Sequence, residues 1–268
     1  MPRCTVSARG AAIVAALLAF CAESRADEPA AEPMSVDAVI VLAVDASSSI
    51  GPEEAGRQRR GHAEALRSRE VNAAIAVGPA GCIAITYIEW AGVGTLRTVL
   101  PWTKLCDGEG TAAAAEAILL HGDDGRERRG RGRTSLSFAV EAGSLLLDRF
   151  PGEAMRKVID VSSNGTNNDG PPVAESRDRA VRKGLVVNGI VLSATEPGVT
   201  DDLPGYFRQT VIGGPASFVV VPDGPDDYAT ALRRKLVLEI SGRLPEAGTV
   251  RTAFADLHAS AGEEPWPN

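Results

Sequence analysis

The sequence predicts an α/β fold in three layers, doubly wound around a mostly parallel sheet of order 3-2-1-4-5-6 with one short antiparallel edge strand. Three observations carry that expectation. Val39–Val44 is an unbroken apolar run with no polar alternation, which is what a strand covered on both faces requires. Further runs of the same kind alternate with segments of helical periodicity, the pattern of parallel strands joined by crossover helices. Oxygen-rich turns follow two of these runs, at Asp45 and at Asn164, and ligands in such sheets sit beyond the carboxyl ends of the strands.

The elements follow in order. The first strand, Asp37–Val44, leads into Asp45, and Gly51-Pro52-Glu53-Glu54 then starts a helix with Pro in the first turn and acids at its positive end. Pro52–Val77 reads as one long helix with Ala55, Ala63, Ala65, Leu66, Ala73 and Ala74 as a small-residue packing face, and Gly78-Pro79-Ala80-Gly81 stops it. Cys82–Trp90 is the second strand. The turn Ala91–Leu96 joins it to Arg97–Trp102, a short edge strand ended by Pro101. Gly110–Leu120 is Ala-rich and helical. Thr134–Phe150 opens on a hydroxyl residue and spaces Leu136, Ala139, Val140, Gly143, Leu146 and Leu147 along one helical face. Lys157–Val161 is the fourth strand and Ser162-Ser163-Asn164-Gly165 its turn. Pro172–Gly184 is a polar helix, Leu185–Leu192 the fifth strand, Ser217–Val221 the last strand and Asp226–Ile240 the closing helix. In the order 3-2-1-4-5-6 the strands before Asp45 and Asn164 are neighbours where the order reverses, so their loops meet.

At 268 residues, 44% hydrophobic and 24% charged, the chain can bury one good core. Residues 1–26 are set apart: Arg3 and Arg9 precede the apolar Ala11–Ala22, and Ser24-Arg25-Ala26 places small residues where a signal peptidase reads. The expectation is a secretory signal over 1–26, an exported bacterial protein that is periplasmic or secreted, and a mature chain starting near Asp27. Phe20 before Cys21 is bulkier than a lipidation site accepts. Residues 242–268 turn polar and Pro-containing, and read as a tail.

Removing 1–26 takes three Arg and one Glu from 28 basic and 35 acidic residues, leaving 25 and 34, a formal charge of −9. A domain so acidic is a poor nucleic-acid binder. The contrary stretch is Arg126–Arg133, five Arg in eight residues, either a docking patch for an acidic partner or a solvated loop. The mature chain keeps two cysteines, Cys82 and Cys106, and an even pair in an exported chain suggests a disulfide. If Trp90 faces Arg97 across the hairpin, Cys82 falls close to Cys106, whereas a one-residue slip would point the two to opposite faces.

The chemistry concentrates in Asp45-Ala46-Ser47-Ser48-Ser49. Its D-x-S-x-S spacing lets a tight loop turn three oxygen side chains toward one point, and hard cations such as Mg2+ prefer such ligands. The same residues could simply cap the following helix. Signals for catalysis are weak: there is no HExxH, no GxSxG, no GxxxxGK[ST] and no GxGxxG, and Ser162 and Ser163 have no evident triad partner. His62, His121 and His258 read as solvent-exposed residues rather than ligands or bases.

With D-x-S-x-S after the first strand, Thr134 at a helix start and a Ser-Asn-Gly turn after the fourth strand, the chain resembles the von Willebrand factor type A domain and its metal-ion-dependent adhesion site. The resemblance covers residues 36–241. It looks closest to an uncharacterised bacterial, exported branch, through Ile88-Glu89-Trp90, Pro101-Trp102, Ile159–Asn168, Val187-Asn188-Gly189-Ile190, Tyr206–Pro222 and Arg233–Ile240. By position the resemblance implies that Ser47 and Ser49 bind a cation directly, that Asp45 and Thr134 do so directly or through water, and that Asn164 holds it through water. The cation implied is Mg2+, or Mn2+ or Ca2+. Asn164 departs from the usual Asp, so the site carries one formal negative charge where two are usual, and cation affinity falls accordingly. Asp169 and Asp160 lie outside the matching position. Asn164-Gly165-Thr166 also fits the glycosylation pattern, which a bacterial exported chain makes irrelevant. The function implied is a binding module whose cation takes an acidic side chain of a protein partner. The alternatives are a metal-dependent hydrolase using Asp45, and a metal-free interaction domain.

Overall fold

The computed structural model describes residues 34–126, 132–193 and 195–242. The expected signal over 1–26, the tail from 243 onward with His258, and most of the Arg-rich loop lie outside the described residues.

The apolar run behaves as its lack of alternation demands. Strand β1 (Met34–Asp45) is paired on both sides, in parallel, with β2 (Ile83–Trp90) and β4 (Gly152–Ser163). Its side chains go alternately to two cores. Ala38, Ile40, Leu42 and Val44 face one, and Val39, Val41 and Ala43 the other, all buried. The sheet has six strands in the order β3-β2-β1-β4-β5-β6, where β3 is Leu96–Leu105, β5 is Val186–Val191 and β6 is Val219–Val220. Every pairing is parallel except β2 with β3. This is the expected fold class and strand order.

Helices α1 (Pro52–Arg67), α2 (Arg69–Val77), α3 (Gly108–His121) and α7 (Tyr228–Ser241) cover the first face. Helices α4 (Leu136–Asp148) and α5 (Val173–Arg182), together with α6 (Leu203–Tyr206) and the π-helical Phe207–Val211 that continues it, cover the second. Gly143 lets α4 lie close on the sheet, since a Cβ there would meet Ile159 Cγ2 at 2.9 Å.

Several boundaries differ from the sequence expectation, each for a local reason. The helix expected to run unbroken over Pro52–Val77 divides at Ser68. That residue takes an extended backbone (ψ 148°), its hydroxyl accepts from Val71 N at 3.2 Å and donates to Ala65 O at 2.7 Å. The edge strand is not short but ten residues long. Its register is also shifted: Trp90 faces Leu96, and Glu89 faces Arg97. Two irregularities around Tyr87, next to Pro101, which has no N–H to give the ladder, add two residues on β3 and bring Ile83 opposite Leu105. The disulfide Cys82–Cys106 therefore forms, with Cα atoms 4.2 Å apart. Strand β4 starts five residues earlier than expected, while β6 shrinks to two residues. Leu203–Val211 carries a helical segment that sequence periodicity did not show.

Under α7 lies a second feature hidden from the sequence. Lys235, Asp160, Glu239 and Asn188 are all buried together. Lys235 Nζ pairs with Asp160 Oδ1 at 2.5 Å and with Glu239 one helical turn on, and Asn188 Nδ2 donates to Glu239 Oε1 at 2.8 Å. Burial, then the charge of Asp160, pushes Glu239 up to about 8. With Glu239 holding its proton, one ammonium faces one carboxylate. His62, expected to be exposed, is buried in this core because it shares a helix face with Gln58 and Leu66. Its Nδ1 lies 2.8 Å from Gln58 O, its ring meets Tyr87 edge-on at 5.1 Å, and burial lowers its pKa so that it stays neutral. His121 is exposed as expected, though it ends α3 rather than lying in a loop.

Candidate metal centre

Asp45 closes β1 at the carboxyl edge of the sheet, next to the end of β4, where the strand order reverses. Its carboxylate is buried and held by neutral donors: Ser47 N gives Oδ1 a hydrogen bond of 2.7 Å, and Ser163 Oγ gives Oδ2 one of 2.5 Å. Burial raises the Asp45 pKa to about 6, against the opposing hydrogen bonds from Ser163 and Ser47 and with a smaller push from the Glu54 charge. Gln58 fixes the strand end from α1, its Nε2 donating to Asp45 O at 2.9 Å.

The residues named from the sequence come together. Ser47 Oγ and Ser49 Oγ are 3.1 Å apart, Thr134 Oγ1 donates to Ser47 Oγ at 3.1 Å, and Ser49 Oγ donates to Asn164 Oδ1 at 2.9 Å. Thr134 is 87 residues from Ser47 and Asn164 is 115 from Ser49, so three separate loops supply one cluster. Neighbouring oxygens around an octahedral Mg2+ lie about 3 Å apart, given Mg–O distances of about 2.1 Å. The spacing of these hydroxyls matches that edge, so the donor set fits a small hard cation. Among the described residues no group of three or more His, Cys, Asp or Glu converges. Any cation here would rest on hydroxyls, an amide and few charges.

The question of the missing charge is answered by position. Asp160 belongs to the Lys235 cluster. Asp169 is turned to the hairpin, where its Oδ2 accepts from Val93 N at 2.8 Å. Glu54, from the first turn of α1, is the second carboxylate near the site: its Oε2 accepts from Asn164 Nδ2 at 3.3 Å.

Sequence reasoning missed the frame that holds Thr134. Asn168 Oδ1 accepts from Thr134 N at 2.9 Å, Asn167 Oδ1 accepts from Ser137 N at 3.0 Å, and Ser135 Oγ donates to Asp169 O at 2.9 Å. The run Asn167-Asn168-Asp169 thus latches the start of α4 to the loop after β4. Its dense side-chain amides, directly after the Ser-Asn-Gly turn, were the available signal. Ser163 was likewise read as part of a turn, not as a donor to Asp45.

A doubly wound sheet with oxygen-rich loops gathered at its switch point, one of them D-x-S-x-S, has the fold of von Willebrand factor type A domains. Solved structures of that shape agree. Proximal thread matrix protein 1 from the mussel byssus, in a form with a zinc-occupied MIDAS motif, superposes with a TM-score of 0.55 at 17% identity, over 78% of this chain and 49% of that one. The pilus adhesin SpaC from Lactobacillus rhamnosus GG gives 0.54 at 13%, over 78% and 31%. A von Willebrand factor type A protein from Catenulispora acidiphila gives 0.53 at 16%, over 76% and 43%. The chain spans about half or less of the length of these neighbours. Among proteins of curated function none matches it. The chain belongs to the family described as "Protein of unknown function (DUF1194)", whose model matches residues 35–244.

Proposed function

We propose that the protein is an exported binding module that engages a protein partner through a divalent cation held by Asp45, Ser47, Ser49, Thr134 and Asn164. The observation that carries this reading is the contact of Thr134 Oγ1 with Ser47 Oγ at 3.1 Å, which joins two loops far apart in the chain into one oxygen cluster at the rim of the sheet. Ser47, Ser49 and Thr134 would hold the cation, Asp45 would supply charge from behind with its two oxygens already oriented, and Asn164 would steady a water. A bound Mg2+, Mn2+ or Ca2+ supplies a hard positive centre for an acidic side chain of the partner. Zinc joins the cations worth testing, since one structural neighbour holds it in the same type of motif.

Two further features support the reading. The Cys82–Cys106 disulfide suits an oxidising compartment, and no described helix is long and apolar enough to cross a membrane. Against hydrolysis, the Asp45 carboxylate is held by the Ser47 amide and the Ser163 hydroxyl, with no described histidine bonded to it. Ser162 Oγ is turned to Tyr228 Oη at 3.4 Å.

Titrating Mg2+ or Mn2+ into the purified protein tests the site. A ligand that binds only the native state at about a hundred times its Kd adds about 2.7 kcal/mol of stability, a rise of several degrees in Tm. The expected result is such a rise in the wild type and none in Asp45→Ala. An equal rise in both would remove Asp45 from the site and end this reading.

A further inference from the structure

The buried cluster under α7 plays no part in the metal-centre reading, and its groups are those of a reaction. Lys235, Asp160 and Glu239 are all buried. Lys235 Nζ lies 2.5 Å from Asp160 Oδ1, and its other ion-pair partner is Glu239. A carboxyl C–O bond is about 1.2 Å long, so Nζ stands within about 3.7 Å of Asp160 Cγ, close to the about 3–3.5 Å of a near-attack contact. The Phe218 ring closes the site on the apolar side, its centroid 5.7 Å from Nζ.

Glu239 is held beside the same nitrogen. Asn188 Nδ2 donates to Glu239 Oε1 at 2.8 Å, and Asn188 is itself fixed, its Oδ1 accepting from Phe218 N at 3.0 Å. Glu239 Oε2 and Asp160 Oδ2 are buried too, and neither has a hydrogen-bond partner among the described residues. An ion pair in this place keeps two charges from water with part of their bonding unmet, which is costly. Condensation to an amide removes both charges and returns one water to solvent. In bulk water that condensation fails, because the ammonium keeps its proton and solvent reverses the reaction. Holding amine and carboxyl in contact inside an apolar site opposes both obstacles.

We infer that Lys235 and Asp160 join after folding in an intramolecular amide bond, with Glu239 as the catalytic acid and base. The ion pair is the state from which the bond forms. The Lys235 ammonium passes one proton to the Asp160 carboxylate across their contact. The free amine attacks Asp160 Cγ, and the N–C bond forms. Glu239 gives its proton to the departing hydroxyl, the C–O bond breaks and one water leaves. The Glu239 carboxylate then takes the extra proton from nitrogen and ends as it began. Burial pushes Glu239 up to about 8, so it holds the proton this step needs at neutral pH. The product ties the closing helix covalently to β4, the strand beside β1. It forms whether or not the oxygen cluster holds a cation.

Mass spectrometry of the full chain, with its disulfide reduced, tests this. An amide at Lys235 blocks tryptic cleavage there and leaves one branched peptide joining Val158–Arg177 to Lys235–Arg243, lighter than the two together by one water. Wild type is expected to give that branched peptide, and its intact mass the matching loss of one water. Lys235→Met should lack both. In Glu239→Gln, which keeps a side chain able to bond both neighbours, the branched peptide should accumulate about 100-fold more slowly after synthesis, the low end of what a positioned acid contributes. Separate linear peptides Val158–Arg177 and Leu236–Arg243 from wild-type protein with a native circular dichroism spectrum would overturn the inference, as would a lost water that maps to other residues. Accumulation at the wild-type rate in Glu239→Gln would overturn the part given to Glu239. Should that variant fail to fold, the wild-type peptide map decides alone.

Discussion

Asp45 and Asp160 sit on adjacent strands of the same sheet, both almost wholly buried, and the fold treats them in opposite ways. Asp160 receives an ammonium of its own, Lys235 Nζ at 2.5 Å, under the closing helix. Asp45 receives only neutral donors, the Ser47 amide and the Ser163 hydroxyl, at the edge where three loops meet. A buried carboxylate is costly without a positive partner. Where the chain provides that partner the cluster is closed and structural. Where it provides hydroxyls spaced about 3 Å apart instead, the proposed cation would be that partner.

The largest effect expected from this contrast is on the closed cluster. Lys235→Met removes the ammonium and leaves Asp160 and Glu239 facing each other in the core. The loss should be about 3–5 kcal/mol, the cost of stranding a buried charge. Chemical denaturation measures it, and adding Asp160→Asn to that variant should return a large part. A loss below about 1 kcal/mol would mean that the pair carries little of the cohesion between α7 and the sheet.

Next in size is the pH dependence of the metal-free protein. Asp45 holds its proton to about pH 6 when folded, against 3.8 for an ordinary aspartate, so the folded state binds the proton more tightly than the unfolded chain does. The stability this contributes is fully present below the unfolded value and lost as pH rises through the folded one. About two units correspond to about 3 kcal/mol. Glu239 shifts the same way, from 4.5 to about 8, because burial outweighs its Lys235 contact. The comparison is therefore between wild type and Asp45→Asn: the variant should lose less stability between pH 4 and 7, and saturating Mg2+ should flatten the wild-type curve toward it. Coincident curves for the two proteins without metal would show that Asp45 does not titrate as its burial demands.

The contrast also explains what the sequence made legible. Val39–Val44 announced a strand buried on both faces, and the alternation around it announced a parallel sheet with crossover helices, while the strand order was an expectation that spacing alone does not fix and that the pairing of β1 with β2 and β4 supplies. D-x-S-x-S, Thr134 and Asn164 could be named because local spacing and chain order point to them. Residues whose role is set by a neighbour distant in the chain were out of reach. Ser163 looked like a turn residue until β4 lay beside β1, and Glu54 looked like a helix-start acid until Asn164 came within 3.3 Å. His62 looked exposed because the packing face read along its helix ran through Ala63, Ala65 and Leu66 and left it out, yet Gln58, His62 and Leu66 lie one turn apart and are all buried. The hairpin register turned on Pro101, whose missing N–H favours an irregularity that no periodicity count detects.

The smallest predicted effect sharpens the contrast most directly. Asn164→Asp restores a carboxylate beside the oxygen cluster, where Ser49 Oγ already donates to the amide oxygen at 2.9 Å, so that hydrogen bond should survive. The amide also donates to Glu54 Oε2 at 3.3 Å, and that bond would become a repulsion between two carboxylates. Without a cation the variant should therefore be slightly less stable, by a few tenths of a kcal/mol, since residue 164 is only half-buried and water screens the pair. With a cation the sign reverses: added negative charge favours Mg2+, and a gain of about ten-fold in affinity corresponds to about 1.4 kcal/mol. Isothermal titration of Mg2+ into wild type, Asn164→Asp and the same variant carrying Glu54→Gln separates the two contributions. Affinity should rise in the single variant and keep a gain over wild type in the double one. Unchanged affinity in both would place residue 164 outside the reach of the ion and leave Asp45 as the sole charge of an otherwise neutral centre.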